Sequence, residues 1–311
     1  MQVRSVTAAD REAVAKLIHA STNHWYVSNG RPAIFRGDPL DAAVFFDVYQ
    51  ALDPDCALVV EEDGQIIGSC FYHPRETHMS LGIMNVHGDH FGKGVARKLL
   101  SEIIALAESR RLPLRLVSSA INLDSFSLYT RAGFTPRCAY QDMTISVPAE
   151  GLHVPAALKQ AIAAAKLILR NATPDDAPAM ADLERELMGI RREKDYRYFI
   201  ANEPGFWHVS VCEDAAGQLQ GFCASSAHPA CNMVGPGVAR TPIAAAALLL
   251  RELDHQRGRS PVFLVPVDQR ELVAMMYALG ARNCELHFTQ VRGECPPMRG
   301  VNMPTFLPES G

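Results

Sequence analysis

Apolar positions along the first half of this chain alternate between two periods, and the periods predict the elements. Val3 to Val6 reads as a short strand, and Thr7-Ala8-Ala9-Asp10 as a helix start with a threonine cap and a carboxylate three residues on. Val14, Leu17 and Ile18 continue that helix, and a loop is expected from Ser21 to Gly37. A second helix begins near Asp38-Pro39 and carries Val44, Phe45, Val48, Tyr49 and Leu52. Strands follow through Ala57–Val60, Gln65–Tyr72 and Met79–Val86, with Asp63-Gly64 as the hairpin turn between the first two. Val95, Ala96, Leu99, Leu100, Ile103, Ile104 and Ala107 form one stripe of a strongly one-sided helix. Leu114 to Ser118 is another strand, a short helix from about Asp124 ends at Gly133, and Phe134 to Val147 supplies the last strands.

The second half repeats this order. Leu167 to Asp176 parallels Val3 to Asp10, again with threonine as cap and now with proline behind it. Trp207–Cys212 and Leu219–Ser225 repeat the hairpin, and Gly235-Pro236-Gly237-Val238-Ala239-Arg240 parallels Gly92 to Arg97. A helix through Ala244–Leu253, a strand at Val262–Val265, a helix at Glu271–Leu279 and a strand at Glu285–Val291 complete it. The expected organisation is a first domain over 1–147, a linker over 148–165, a diverged second copy over 166–294 and a tail over 295–311. An Ala-rich connecting helix is expected near Pro155–Lys166, and the tail is expected to pack irregularly or fray. The fold class is α/β with a mixed sheet, in tandem.

Composition narrows the chemistry. A net charge of −4 over 311 residues gives no global basic field for nucleic acid or an anionic membrane. The longest apolar run, Ile243 to Leu250, is too short to span a bilayer, and Met1 to Ser5 opens no signal peptide. The eight cysteines form no Cys-x-x-Cys pair and no His cluster has zinc-ligand spacing, so no metal site is expected. His208, Cys212 and Cys231 fit no standard metal spacing either. Reduced core thiols in a cytoplasmic protein are the simpler reading.

Two segments carry the candidate chemistry. Val86-His87-Gly88-Asp89-His90-Phe91-Gly92-Lys93-Gly94-Val95-Ala96 joins a strand to an amphipathic helix through glycines. Glycines allow close backbone approach, and a helix start offers unpaired N–H groups and a positive dipole end, so the layout can cradle phosphate. About thirty residues later stands Asn122-Leu123-Asp124-Ser125-Phe126-Ser127-Leu128-Tyr129-Thr130-Arg131-Ala132-Gly133-Phe134. Together they resemble the acyl-CoA site of the GNAT acetyltransferase superfamily, whose loop reads (Gln/Arg)-x-x-Gly-x-(Gly/Ala). Phe91 departs from that pattern, which removes a polar contact but leaves the backbone donors.

The resemblance covers about 1–147 well and 166–292 loosely. It implies that acetyl-CoA is the cofactor, with its diphosphate over Phe91, Gly92, Lys93, Gly94, Val95 and Ala96 and its pantetheine arm on the backbone of Met84, Asn85 and Val86. It implies that Asn122 hydrogen-bonds that arm and that Tyr129 is the general acid for the departing thiolate. A phenol of pKa about 10 can serve a thiol of pKa about 8.5. The expected activity is N-acyl transfer, chiefly of acetyl, to the primary amine of a small molecule by direct attack. A CoA-binding regulatory module and a protein amino-group acetyltransferase are the alternatives.

The base stays open among Glu61, Glu62, His73, Glu76, His78, His87 and water, because Met79–Val86 contains no carboxylate. His24, Trp25, Tyr26 and Arg31, in the loop after the first helix, are expected to hold the substrate. In the second copy Pro236 removes a donor and Met276, not Tyr277, falls at the position of Tyr129. That copy is expected to complete the cleft, to stabilise the first or to mediate association, homo-oligomers included.

Overall fold

A computed structural model describes residues 1–309; the last two residues of the expected tail lie outside the described residues. The fold is mixed α/β and divides into two compact units. The first holds Met1–Leu116, Pro229–Cys231 and Phe306–Glu309; the second holds Val117–His228 and Asn232–Thr305.

In the first unit β1 (Gln2–Ser5), β2 (Ala57–Glu62), β3 (Gln65–Pro74) and β4 (Met79–Val86) pair antiparallel in sequence order. β5 (Leu114–Ser119) begins parallel to β4. Asp63 and Gly64 both take positive φ, 51° and 77°, as a two-residue hairpin turn requires. Helices α1 (Arg11–Ser28) and α2 (Ala43–Leu52) cover one face of the sheet and α3 (Val95–Ser109) the other. The parity of β3 fixes this: Phe71 meets Phe46 and Tyr49 of α2, while a Cβ on Gly68 would fall 2.6 Å from Val95 of α3. Val14, Ile18, Val59, Val60, Leu99 and Ile103 fill the two layers.

β4 carries a bulge. Opposite Cys70–Tyr72 of β3, two steps long, β4 runs three steps from Leu81 to Met84, so the extra residue falls at Gly82-Ile83. Pairing of β4 with β5 is limited to Met79/Leu114 and Ser80/Arg115.

The second unit contains α4 (Leu123–Arg131), β6 (Thr135–Thr144), α5 (Ala156–Ala164), β7 (Ile168–Asn171), α6 (Ala177–Met188), α7 (Glu193–Ala201), β8 (Trp207–Glu213), β9 (Leu219–His228), most of β10 (Cys231–Ala239), α8 (Pro242–Asp254), β11 (Val262–Pro266), α9 (Arg270–Leu279), β12 (Arg282–Arg292) and β13 (Val301–Met303). Its strands run β12-β6-β11-β10-β9-β8-β7, with β13 on β10. The last strand of the first sequence copy, β6, thus lies between β11 and β12 of the second. Within this unit Ala120 N donates to Leu286 O of β12 at 2.8 Å, and Gln290 Nε2 of β12 to Ser118 Oγ at 2.6 Å. Compact units and sequence copies therefore do not coincide.

Among its described residues the tail packs rather than frays. Val301, Met303 and Leu307 are fully buried and β13 joins the sheet, because the segment supplies apolar side chains at alternate positions. The cysteines are unbridged; Cys70, Cys212, Cys223 and Cys231 are buried and Cys284 is exposed. Among the described residues no helix is long and apolar enough to cross a membrane.

Candidate active site

The glycine loop is a folded turn leading into an uncapped helix. After β4, His87 N donates to Ile67 O at 2.8 Å, and His90 N and Phe91 N fold back onto His87 O and Gly88 O. Gly92 and Gly94 then take φ of 74° and 85°, the left-handed region where a Cβ is strained. The helical ladder of α3 opens with Lys98 N donating to Gly94 O at 3.0 Å. The amides of Val95, Ala96 and Arg97 precede that first bond, and Gly94 as N-cap has no side chain to satisfy them. A Cβ at Gly92 would meet nothing within 4 Å, so space lies open beside the loop. Phe91 is 43% exposed and packs edge-on against the His24 ring, with centroids 5.4 Å apart.

An open groove of about 400 Å³ adjoins this turn, lined by Met1, Lys93, Gly94, Arg97, Lys98, Ser101 and Glu102. Three of those side chains are cationic and one anionic. Donors, helix dipole and excess positive charge fit a diphosphate. The Lys93 amide donates to His90 O at 3.2 Å, so the amides of Gly92, Gly94, Val95 and Ala96, with the Lys93 and Arg97 side chains, are the groups that would hold it.

On β4, Met84 and Val86 are half-buried. Asn85 is buried, and its Nδ2 donates to Ser21 Oγ at 2.7 Å and Thr22 Oγ1 at 3.2 Å. That bond corrects the expected loop. α1 runs on to Ser28, so His24, Trp25 and Tyr26 stand on a helix and only Arg31 lies in the following segment. Ser-Thr-Asn-His reads as a turn, yet two of its hydroxyls are taken by Asn85 and no glycine intervenes before Gly30. Asn23 completes the helix end by exchanging hydrogen bonds with the Phe35 backbone. Trp25 and Tyr26 touch edge to face at 5.1 Å, both half-buried, and His24 is exposed.

In the second unit Asn122 caps α4, its Oδ1 accepting from Ser125 N at 3.0 Å. Its amide nitrogen remains as the donor of that side chain. Tyr129, on α4, is 7% exposed and packs edge-on to Phe134 at 5.7 Å. Gly133, at φ 87°, closes the helix as expected.

The candidate bases separate. Glu61 pairs with Arg4 at 2.8 Å, and Glu62 with His90 at 3.1 Å. His73 and His78, which read as turn residues, are each 1% exposed. His73 Nδ1 lies 2.7 Å from Asp53 Oδ2, and Arg75 donates to the same carboxylate at 2.8–2.9 Å. A Cβ at Gly82 would fall 2.9 Å from His73 Nε2, so this buried cluster abuts the β4 bulge. The sequence reading missed Asp53, which stands in an Asp-Pro-Asp turn and reads as punctuation.

The second copy corrects a further expectation. Gly235-Pro236-Gly237 forms no loop; it lies within β10, with Gly237 opposite Met303. A Cβ at Gly237 would stand 2.7 Å from Phe222 O, so close strand packing accounts for that glycine. The helix start lies further on, where Thr241 Oγ1 accepts from Ala244 N at 3.3 Å and Pro242 takes the first position. Met276 is buried, while Tyr277 is 48% exposed and donates to Gln141. His208 pairs with the buried Glu252 at 3.0 Å and stacks on His255.

Comparison with known proteins bears on the family and the fold. The Acetyltransferase (GNAT) family profile matches residues 22–134, and an Acetyltransferase (GNAT) domain profile matches 180–299. No curated protein sequence matches the chain. A Pyrococcus horikoshii crystal structure shares the fold at a TM-score of 0.70 and 14% identity, over 94% of this chain and 89% of that one. A GCN5-related N-acetyltransferase from Sphaerobacter thermophilus follows at 0.63 and 17%, over 96% and 97%. A tandem GNAT protein from the clavulanic acid biosynthesis pathway gives 0.59 and 17%, over 95% and 99%. At these identities the likeness is one of fold.

Proposed function

We propose a function from one premise: this chain belongs to the GNAT superfamily and carries two of its acetyltransferase domains in tandem. The first copy transfers an acetyl group from acetyl-CoA to the primary amine of a small molecule. The observation that carries this reading is the start of α3, where two left-handed glycines leave the amides of Val95, Ala96 and Arg97 ahead of the helical ladder beside a cationic groove. Acetyl-CoA, when bound, supplies an acyl group already activated as a thioester.

This chain's residues then have four tasks. The amides of Gly92, Gly94, Val95 and Ala96, with the Lys93 and Arg97 side chains, bind the diphosphate and fix the register of the arm. The backbone of Met84 to Val86 orients the arm, since β4 leaves β5 after Ser80. The Tyr129 hydroxyl holds the proton needed by a departing thiolate, and burial of its ring keeps that hydroxyl in one position. His24, Trp25, Tyr26 and Arg31, from α1 and the segment after it, select the amine. Direct attack suffices, since no cysteine of the motif region stands beside a base.

Calorimetry of the full chain with CoA, followed by single-turnover mixing of acetyl-CoA with spermidine, glucosamine, lysine and tyramine, tests the reading. Heat of binding and an N-acetylated amine are the expected results. CoA binding with no transfer to any amine favours a binding module, and no heat at all removes the premise of a working cradle.

A further inference from the structure

Phe306–Glu309, the last described turn of the chain, belongs to the first unit and brings a carboxyl into it. Glu309 is 8% exposed. Burial lifts its pKa from the ordinary 4.5 to about 8, against hydrogen bonds from Tyr49 and from backbone amides that pull it down. Tyr49, on α2, is 1% exposed; its hydroxyl donates to the Glu309 carboxylate and lies 3.2 Å from the Phe306 carbonyl. The Ile83 amide reaches both the Tyr49 oxygen and the Glu309 carboxylate.

Ile83 sits in the β4 bulge. A strand rises about 3.3 Å per residue, so this amide lies roughly 10 Å back from Val86, away from the glycine loop. An arm laid along β4 from a diphosphate at Gly92–Ala96 therefore points toward Glu309. Met79–Val86 has no carboxylate of its own, and the tail places one against that strand.

The other groups facing this carboxyl are few. The Cys70 thiol of β3 is pushed up by burial and by the Glu309 charge. The His73 ring of β3 lies 4.6 Å from the Tyr49 ring and is held by Asp53, which also engages Arg75. Cys231, from the 229–231 turn, adds to the field at Tyr49.

We propose that Glu309 is the base that takes the proton from the acceptor's ammonium group. The inference rests on the acyl-transfer reading above. An N–H bond of the ammonium breaks as an O–H bond forms at Glu309. The freed nitrogen lone pair makes the C–N bond to the acyl carbon, the C–S bond breaks, and the sulfur takes the proton assigned above to Tyr129. A second N–H bond of the adduct breaks as the amide forms, and that proton restores the Tyr129 hydroxyl. Resetting Glu309 then releases one proton to solvent. Tyr49 is a positioning residue that holds the carboxylate. A carboxyl that titrates near neutrality suits a base working at that pH.

The test compares full-length wild type with Glu309→Gln and Tyr49→Phe. Glutamine keeps an oxygen for the Tyr49 hydroxyl, so the turn retains its partner. Three quantities are followed: CoA affinity by calorimetry, acetyl transfer to the amine panel from pH 6 to 9, and the Glu309 carboxyl resonance by 13C NMR of glutamate-labelled chain with and without CoA. In Glu309→Gln, kcat is expected to fall about a hundredfold and to lose its rise with pH, with CoA Kd changed less than threefold. In Tyr49→Phe the rise moves to higher pH, because the carboxylate loses a donor. The wild-type resonance is expected to titrate near neutrality and to shift when CoA binds. Wild-type turnover and an unaltered pH profile in Glu309→Gln overturn the inference alone, as does a resonance that titrates below pH 5. A wild-type chain that neither binds CoA nor transfers acetyl overturns the parent reading and this inference together.

Discussion

The two copies begin alike and part at the helix that follows the third long strand of each. Arg4 and Arg170 each grip an aspartate six residues on, Asp10 and Asp176, and each aspartate closes a threonine capping box. Glu61 and Glu213, on equivalent strands, complete both clusters. At the later helix the likeness ends. α3 starts from a left-handed glycine with its first amides ahead of the ladder, whereas α8 starts from Thr241, whose side chain takes the Ala244 amide, with proline behind it. The first turn of α8 is also sealed, with Ala244, Ala245 and Ala246 fully buried. A shared scaffold thus carries two different helix starts: one leaves its first amides uncapped, and the other caps one with its own threonine.

The sharpest way to break this contrast is Gly94→Glu. A carboxylate set at the N-terminus takes the place of an anion, and φ of 85° strains any Cβ. CoA binding is expected to weaken at least about a hundredfold by calorimetry, while the backbone strain lowers the melting temperature by only a few degrees. Unaltered affinity would mean that the diphosphate sits elsewhere. Tyr129→Phe comes next. It is expected to lower kcat about a hundredfold while acetyl-CoA affinity stays within threefold. Met276→Leu, at the matching place in the second copy, leaves kcat as it is. Equal effects of the two substitutions would place the acid somewhere other than α4.

How much of this was legible depends on what kind of interaction fixes each part. The mixed α/β class, the Asp63-Gly64 hairpin, the stripe of α3 and the C-terminal glycine of α4 follow from period and turn chemistry, which are local. The length of α1 was not legible, because the bonds from Asn85 that stabilise its polar last turns come from sixty residues away. Gly235-Pro236-Gly237 misled for a related reason. A glycine needed for close strand packing looks in sequence like one needed for a left-handed turn, and only the neighbour Phe222 tells them apart. The exchange that seats β6 between β11 and β12 has no local signal, since either strand could satisfy the same edge. Glu309 was hidden most completely: its meaning comes from Tyr49 and Ile83, more than two hundred residues earlier.

Thr241→Ala probes the other side of the contrast. Loss of the cap is expected to lower stability by about 1 kcal/mol in urea unfolding while CoA affinity holds. A change in affinity of the size expected for Gly94→Glu would return a ligand role to the second copy.

The smallest effect tests what the copies share. Asp10 and Asp176 are each held down to a pKa of about 2, first by the hydrogen bond from their arginine, against an ordinary 3.8. A carboxyl depressed in the folded state adds stability above its unfolded pKa and loses it as pH falls through the folded one. Each pair therefore contributes fully above about pH 4 and fades toward pH 2. Both arginines are about one-third exposed, so solvent screens the pairs and each is expected to contribute only about 1 kcal/mol at pH 7. Asn at either position still accepts from the threonine amide, so Asp10→Asn and Asp176→Asn remove chiefly the charge. The two variants are expected to lose similar stability at pH 7 and to converge on wild type near pH 2, read by urea unfolding across that range. Because each aspartate bonds only to its own arginine and threonine, and to nothing at the start of α3 or α8, CoA should leave the two losses equal. A loss at Asp10 that grows when CoA is present, with none at Asp176, would show that the opening lock of the first copy has been drawn into binding and that the shared scaffold is less neutral than its symmetry implies.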